Sequence, residues 1–254
     1  MRKMLTAERR NKLAQIINDN GSIRVKEIAD YFGVTSETIR KDLIILNNNG
    51  LVRKSHGGAI AISESYERPI DTRSTENQEL KGKIAARALD LIESNNVIII
   101  DSGSTLLTFA KMFPQNRQLT LITNSMAAAN ILAGKGNNIC FVGGELSDIT
   151  MSTSGMLTSY ALNIMKADIA FLGTSGFQSH TGPCAKTFID GQTKIDMIKN
   201  SKIKVVLADS SKFKTNAIVQ YANWSEIDYL ITDGDAPEEA VKEIRKKTTV
   251  IIAK

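Results

Sequence analysis

Six short segments of this 254-residue chain follow apolar runs and end in hydroxylic residues, glycine or single charges. They are DSGST (101–105), TN (123–124), GGE (143–145), GTSG (173–176), DSSK (209–212) and TD (232–233). In the first, Asp101, Ser102, Gly103, Ser104 and Thr105 run directly into LLTFAKMF, which has helical spacing. A helix begun there aims its first amides outward, Gly103 permits a tight turn, and the hydroxyls add donors. That combination suits an oxyanion. A lone Gly-Ser-Thr loop is equally well an ordinary helix cap. Recurrence at Thr123, Asn124, Gly143, Gly144, Gly173 and Lys212 is what predicts a small-ligand site, because open α/β sheets bind ligands outside the carboxyl ends of their strands.

A second constellation is TSETIRKDL (35–43). Thr35, Ser36, Glu37, Thr38, Arg40 and Lys41 lie on one side, Ile39 and Leu43 on the other. Such a helix is anchored by one face and offers a polar one. In a helix-turn-helix, the second helix of the pair presents its N-terminal side chains to base edges. Arg40 has the fork to pair with guanine, and Lys41 and the hydroxyls can reach phosphates or bases. Arg53, Lys54 and His56 follow where a hairpin would touch the backbone or minor groove. The competing reading is a solvated charged face in a protein–protein module. Charge distribution argues against it: residues 1–57 carry a net +5 and the remaining 197 residues are neutral. A basic head on a neutral body points to a polyanion, here double-stranded DNA.

These residues need elements to hold them. Leu13, Ile16 and Ile17 have helical spacing, with Thr6 as the expected cap and Gly21 as the stop. In SIRVKEIADYFG, Val25, Ile28, Ala29 and Phe32 share one face of a short helix closed by Gly33. The third helix runs from Ser36 to about Asn48 on a stripe of Ile39, Leu43 and Leu46, capped by Thr35 or Ser36. LVRKS, HGG and AIAI read as strand, turn and strand. Together they predict a winged helix-turn-helix over 1–60. Residues 61–78 are polar, contain Pro69 and read as a linker. Over 79–254, seven apolar runs (97–101, 119–123, 139–143, 169–173, 205–209, 229–233 and 249–253) alternate with helix-sized segments. The fold class expected is α/β, with a mostly parallel sheet covered on both faces.

Cys140 and Cys184 stand far apart, which makes neither a disulfide framework nor a zinc cage. His56 and His180 are the two histidines, so no metal or other cofactor is expected. No apolar run approaches the ~20 residues of a membrane span, and the charged N-terminus lacks a signal core. The reading is a cytoplasmic protein with no membrane partner.

At these residues the chain resembles the DeoR/GlpR family of bacterial sugar-metabolism regulators. Its helix-turn-helix signature is matched by Arg9, Leu13, Ile17, Thr35, Thr38, Ile39, Arg40, Lys41, Asp42 and Leu43, and the wing by HGGA at 56–59. Asp42 would repel phosphate, so a structural role beside a neighbouring arginine is expected. The family's D-[SA]-G-[ST]-T loop corresponds to 101–105, its T-N pair to Thr123 and Asn124, its G-G to Gly143 and Gly144, and its D-S-S-K-F to 209–213. The resemblance implies a C-terminal sensor domain like ribose-phosphate isomerases and CoA-transferases. By that likeness the 102–105 loop holds the phosphate of a sugar, with Lys212 as charge partner. Asp190 and Gly191 depart from the usual Glu-Ala pair, and GPCAKTF (182–188) is unusual.

An enzyme on the same sheet is the rival reading, a sugar-phosphate isomerase with a nucleic-acid-binding head. Isomerisation needs a general base, yet GTSGF (173–177) has no carboxylate where the isomerases carry D-G-A-D. Glu145 caps a helix or bonds a sugar hydroxyl more plausibly than it acts as a nucleophile. No catalytic residue is therefore assigned. The expectation is a repressor that binds operator DNA, is released by a phosphorylated sugar and works as a homo-oligomer, dimer or tetramer.

Overall fold

The apolar stripes of the N-terminal segment close on one another in the computed structural model, which describes residues 5–48, 50–61, 67–94, 96–115 and 118–254. Helix α1 (Thr6–Asn20) contributes Leu13 and Ile17 to a core shared with α2 (Val25–Phe32) and α3 (Ser36–Asn48). α1 starts at Thr6 itself, so the observed cap is one residue before the expected one. Leu5 takes the N-cap position because the Glu8 carboxylate accepts its amide hydrogen at 3.1 Å. Between α1 and α2 lies a strand the periodicity did not reveal, β1 (Ser22–Arg24). Three residues are too few to show alternation. It pairs antiparallel with β3 (Gly58–Ala61), which pairs in turn with β2 (Val52–Ser55). Gly58 is required there: a Cβ would stand 2.0 Å from the Ile23 carbonyl oxygen.

The protein divides between Thr72 and Arg73 into two compact units. Part of the expected linker, residues 62–66, lies outside the described residues. Downstream, Ile70–Ser74 form a single-turn helix, α4, with Ile70 buried.

The second unit opens with α5 (Gln78–Leu89). Then follow β4 (Val97–Ile100), α6 (Ser104–Met112), β5 (Thr120–Thr123), α7 (Met126–Leu132) and β6 (Asn138–Phe141). A hairpin, β7 (Glu145–Ser147) and β8 (Ser152–Ser154), leads to α8 (Met156–Asn163) and β9 (Ala167–Gly173). The chain continues through β10 (Cys184–Ala185), α9 (Phe188–Lys199), β11 (Ser201–Leu207) and β12 (Val219–Gln220). It ends with β13 (Tyr229–Asp233), α10 (Glu238–Arg245) and β14 (Thr249–Ala253). Seven strands form one sheet in the order β14-β13-β11-β9-β4-β5-β6, parallel throughout. All seven fall on the runs read from sequence. β9 and β11 begin earlier than those runs, because charged residues such as Lys202 and Lys204 alternate into the first half of β11.

Strand residues alternate between two cores. Ile98 and Ile100 pack with α5, α6 and α7 on one face; Ile99 packs with α8, α9 and α10 on the other. The first strand, β4, sits mid-sheet. The chain runs outward through β5 and β6, then returns to place β9 on the other side of β4. That reversal between β4 and β9 is a topological switch point, where a crevice opens at the strands' carboxyl ends. Among the described residues, no helix is long and apolar enough to cross a membrane.

Candidate functional site

The polar face of α3 stands clear of the head's core. Thr35 is the cap, accepting the Thr38 amide at 3.2 Å while its hydroxyl meets that of Thr38 at 2.9 Å. Glu37, Arg40 and Lys41 are exposed, Ser36 and Thr38 half-buried, and Ile39 buried. Arg40 bonds Glu37 at 3.3 Å, both side chains more than half exposed. A pair this open is worth at most about 1 kcal/mol, so a base edge can displace it. Asp42 is different: it is 1% exposed and takes Arg9 Nε on Oδ2 (2.7 Å) and Arg10 Nε on Oδ1 (2.8 Å). The expected structural role is the one observed, an acid that ties α1 to α3. The wing is fastened too. Asn47 Oδ1 accepts the Lys54 amide (2.9 Å), and the Gly57 carbonyl accepts the Val25 amide (2.9 Å). Arg53, Lys54 and His56 remain exposed.

In the sensor unit the switch point is built around Asp101. The acid is fully buried, and its Oδ2 accepts the Gly173 amide (2.9 Å) and an ammonium hydrogen from Lys194. Asp101 thus bolts the end of β4 to the end of β9 and to α9. Tyr221 closes the floor, donating its hydroxyl to the Gly173 carbonyl at 2.7 Å. Burial, with Asp101 nearby, holds that phenol well above its ordinary pKa, so it stays a donor. Among the described residues Asp101 Oδ1 has no hydrogen-bond partner and is left as a buried acceptor. Beside it, Gly103 takes φ +125°, and no side chain caps α6. Ser102, Ser104 and Thr105 are buried with it, so hydroxyls and outward amides meet at one helix start. A Cβ on Gly173 would press within 3.2 Å of the Ser102 carbonyl oxygen, which keeps these loops in close approach.

Thr123, Asn124, Gly143 and Gly144 gather one step along the sheet, at the ends of β5 and β6. Thr123 Oγ1 accepts the Ser125 amide (3.0 Å), and Asn124 Nδ2 donates to the Thr153 carbonyl (2.8 Å). Asn124 Oδ1, also buried, has no partner among the described residues. Gly143 offers its carbonyl to the Thr158 hydroxyl (2.8 Å). Gly144, at φ +148°, could carry no Cβ, which would lie 2.1 Å from Thr158 Oγ1. Gly144 therefore lets α8 dock against the strand end.

Lys212 belongs to a third cluster, at the end of β11. Asp209 caps the turn that carries it, accepting from the Ser211 amide and hydroxyl and from Asn77 Nδ2 (3.3 Å). Here the structure adds a residue that sequence reasoning missed. Lys81 is 3% exposed, yet its ammonium donates to the Arg73 and Glu76 carbonyls (2.5 and 2.7 Å). Two carbonyls leave the third N–H of an ammonium group for another acceptor. Burial lowers its pKa to about 8, against the attraction of Asp209 and with the repulsion of Lys212. The signal was present in the spacing: Lys81 interrupts the buried stripe that Ile84, Ala85 and Ala88 continue along α5. Among the described residues, no three His, Cys, Asp or Glu side chains cluster as metal ligands would.

Comparison with known proteins agrees with both units. Residues 9–65 match the DeoR-like helix-turn-helix domain, and residues 76–234 match the DeoR C terminal sensor domain. The chain belongs to the DeoR family. It is similar to the uncharacterized HTH-type transcriptional regulator YulB of Bacillus subtilis (strain 168), 35% identical over 98% of this chain and 97% of that protein. It is also similar to the glycerol-3-phosphate regulon repressor of Escherichia coli (strain K12), 29% identical over 92% and 93% of the two chains. Among solved structures, ribose 5-phosphate isomerase A of Methanocaldococcus jannaschii aligns over 54% of this chain and 55% of its own, at 24% identity and TM-score 0.40. The matched family is one of transcriptional regulators, and this DeoR-family protein is a regulator, not an enzyme.

Its departures from the usual DeoR pattern have local explanations. A Cβ at Gly191 would stand 2.6 Å from Val219 Cγ1, so glycine lets β12 lie against α9. A Cβ at Gly182 would fall 1.9 Å from the Ala222 carbonyl oxygen. The unusual 182–188 segment is thus drawn onto the strand that precedes Tyr221, through the β10–β12 pair. Cys184 is buried there, and burial pushes its thiol up to about 11. That thiol is packing, not chemistry.

Proposed function

We propose that this DeoR-family regulator is a repressor of an operon for sugar or sugar-alcohol catabolism, released by a phosphorylated sugar bound at the strand ends of its C-terminal domain. The observation that carries the reading is the convergence at the β4/β9 switch point. An α6 start without a side-chain cap, three buried hydroxyls and a buried carboxylate acceptor meet there. In this reading the phosphate sits on the Ser102–Thr105 turn, where amides and the helix dipole favour an anion. Lys81 and Lys212 supply positive charge, Asp101 and Asn124 accept sugar hydroxyls, and Thr123, Gly143, Gly144 and Gly173 shape the wall. A relative named for the glycerol-3-phosphate regulon supports a phosphorylated effector.

The head (1–60) would read an operator half-site with Thr35, Ser36, Glu37, Thr38, Arg40 and Lys41, while Arg53, Lys54 and His56 hold the backbone. Residues 61–78 join it to the sensor (79–254). Half-sites lie about 34 Å apart or multiples of that, so the working form is a homo-oligomer. The effector switches it by binding one arrangement of the heads more tightly than the other.

The test is operator binding at fixed salt, with and without a panel of sugar phosphates. Specific binding relieved by one compound is expected. Changing Ser104 and Thr105 together to Ala should then weaken the effector response and leave operator affinity intact. An unchanged ligand titration would remove the phosphate from this loop.

A further inference from the structure

Helices α8 and α9 are built inside out. On α9, Lys194 and Asp196 are buried while Phe188, Ile189 and Ile195 are exposed, at 76%, 54% and 38%. On α8, Met156, Leu157 and Tyr160 are exposed at 85%, 72% and 67%, with Ile164 just beyond at 68%. The spacing 156, 157, 160, 164 is one helix face. No residue of α8 carries a charge. The two helices pack on each other and share a groove of about 510 Å³, walled by Met156, Tyr160 and Ile189 with Ser159, Asn163 and Gln192.

A monomer seldom exposes apolar surface on this scale. Met156, Leu157, Tyr160, Ile164, Phe188 and Ile189 together present roughly 900 Å², close to the ~800 Å² that each partner gives to a standard interface. We infer that the α8–α9 face is the contact between two copies of this chain. The face has what an isologous contact requires: protruding side chains beside a concave groove on one patch, so that the same patch can serve both partners. Because α8 has no charge, turning that helix against its copy opposes no like charges along α8. A nucleic-acid partner would need cations here, and Lys199 is the exposed one on α9.

Both helices also reach the strand ends by their inner faces. Lys194 of α9 holds Asp101, and Thr158 of α8 holds the Gly143 carbonyl. Ser159 and Asp196 join the helices at 2.5 Å. A shift at the strand ends is therefore delivered to the contact between copies, where small helix movements become changes of assembly.

Sedimentation of the full chain at micromolar concentration tests the inference without DNA or effector. The wild type should sediment as a dimer or a multiple of one. Leu157→Glu with Tyr160→Glu, and separately Phe188→Glu, should each reduce the dimer to a single chain with an unchanged circular dichroism spectrum. A folded variant that keeps the wild-type mass would overturn the assignment. So would a wild type that sediments as one chain, and the face would then belong to another partner. Hydrogen exchange needs no variant: α8 and α9 amides should lose protection when the wild type is diluted, and equal protection at both concentrations would also overturn it. The oligomer proposed above rests here on this face alone. A monomeric variant that still answers to a sugar phosphate leaves the effector reading untouched.

Discussion

Each unit of this protein buries an acid between two basic partners or donors, and the two acids do different work. Asp42 in the head is clamped by Arg9 and Arg10, one of them a third exposed, and its job is to hold α3 at a fixed attitude. The groups proposed to meet DNA are elsewhere, on the open side of the same helix. Asp101 in the sensor is fully enclosed, spends Oδ2 on Lys194 and Gly173, and keeps Oδ1 at the candidate site. Structure and proposed recognition are separated in the head and merged in the sensor. Under the proposed function the head binds by docking and the sensor responds, because a ligand that engaged Asp101 would pull on the pair that bolts two strands and a helix together.

The largest break in that comparison should come from Lys194→Met. Removing one partner of a buried pair costs about 3–5 kcal/mol, read as a fall in the sensor's urea midpoint. An unaltered midpoint would mean that Asp101 is not locked in the way described. Asp42→Asn should cost less, about 2 kcal/mol, since its arginines retain water. If it costs as much as the sensor variant, the two acids are equivalent and the contrast fails. Arg40→Ala should leave stability alone and cost ~1–3 kcal/mol on operator DNA, with a smaller loss on random DNA. Equal losses would make Arg40 a phosphate contact.

The smallest effect sharpens the sensor's side. Lys81 has a folded pKa of about 8, below the 10.5 of an exposed lysine. Between those values the unfolded chain holds the extra proton, so the cost of burying the cation is fully present below pH 8 and is relieved as pH climbs through the window. Effector binding should move the opposite way, because the charge disappears. Affinity for the releasing sugar phosphate should drop about tenfold between pH 7 and 9, and in Lys81→Arg that drop should vanish. A pH-independent titration of the wild type would place Lys81 outside the effector's reach.

Much of this was legible along the chain. The three head helices, the hairpin and seven parallel strands followed from local period and from turn residues. The strands missed were β1, the β7–β8 hairpin and the β10–β12 pair. Each is two or three residues long, too short for a period of two to appear. Asp42 was legible as structural because an acid on a face meant for phosphate has no other use. Lys81 was legible in principle, as a cation on a buried stripe, but a single charge at a helix start also reads as a solvated end. Lys194 and Tyr221 left no local mark.

The sequence by itself determined the class of partner for the head, the seven strands and the polar residues at their ends, because side-chain period, capping and charge are properties of neighbours in the chain. Only the tertiary structure decided that β4 lies beside β9. That adjacency brings Lys194 to Asp101 from 93 residues away and makes one crevice out of scattered loops. Strand order is set by which long-range packing buries both sheet faces best, and no stretch of neighbouring residues carries that information.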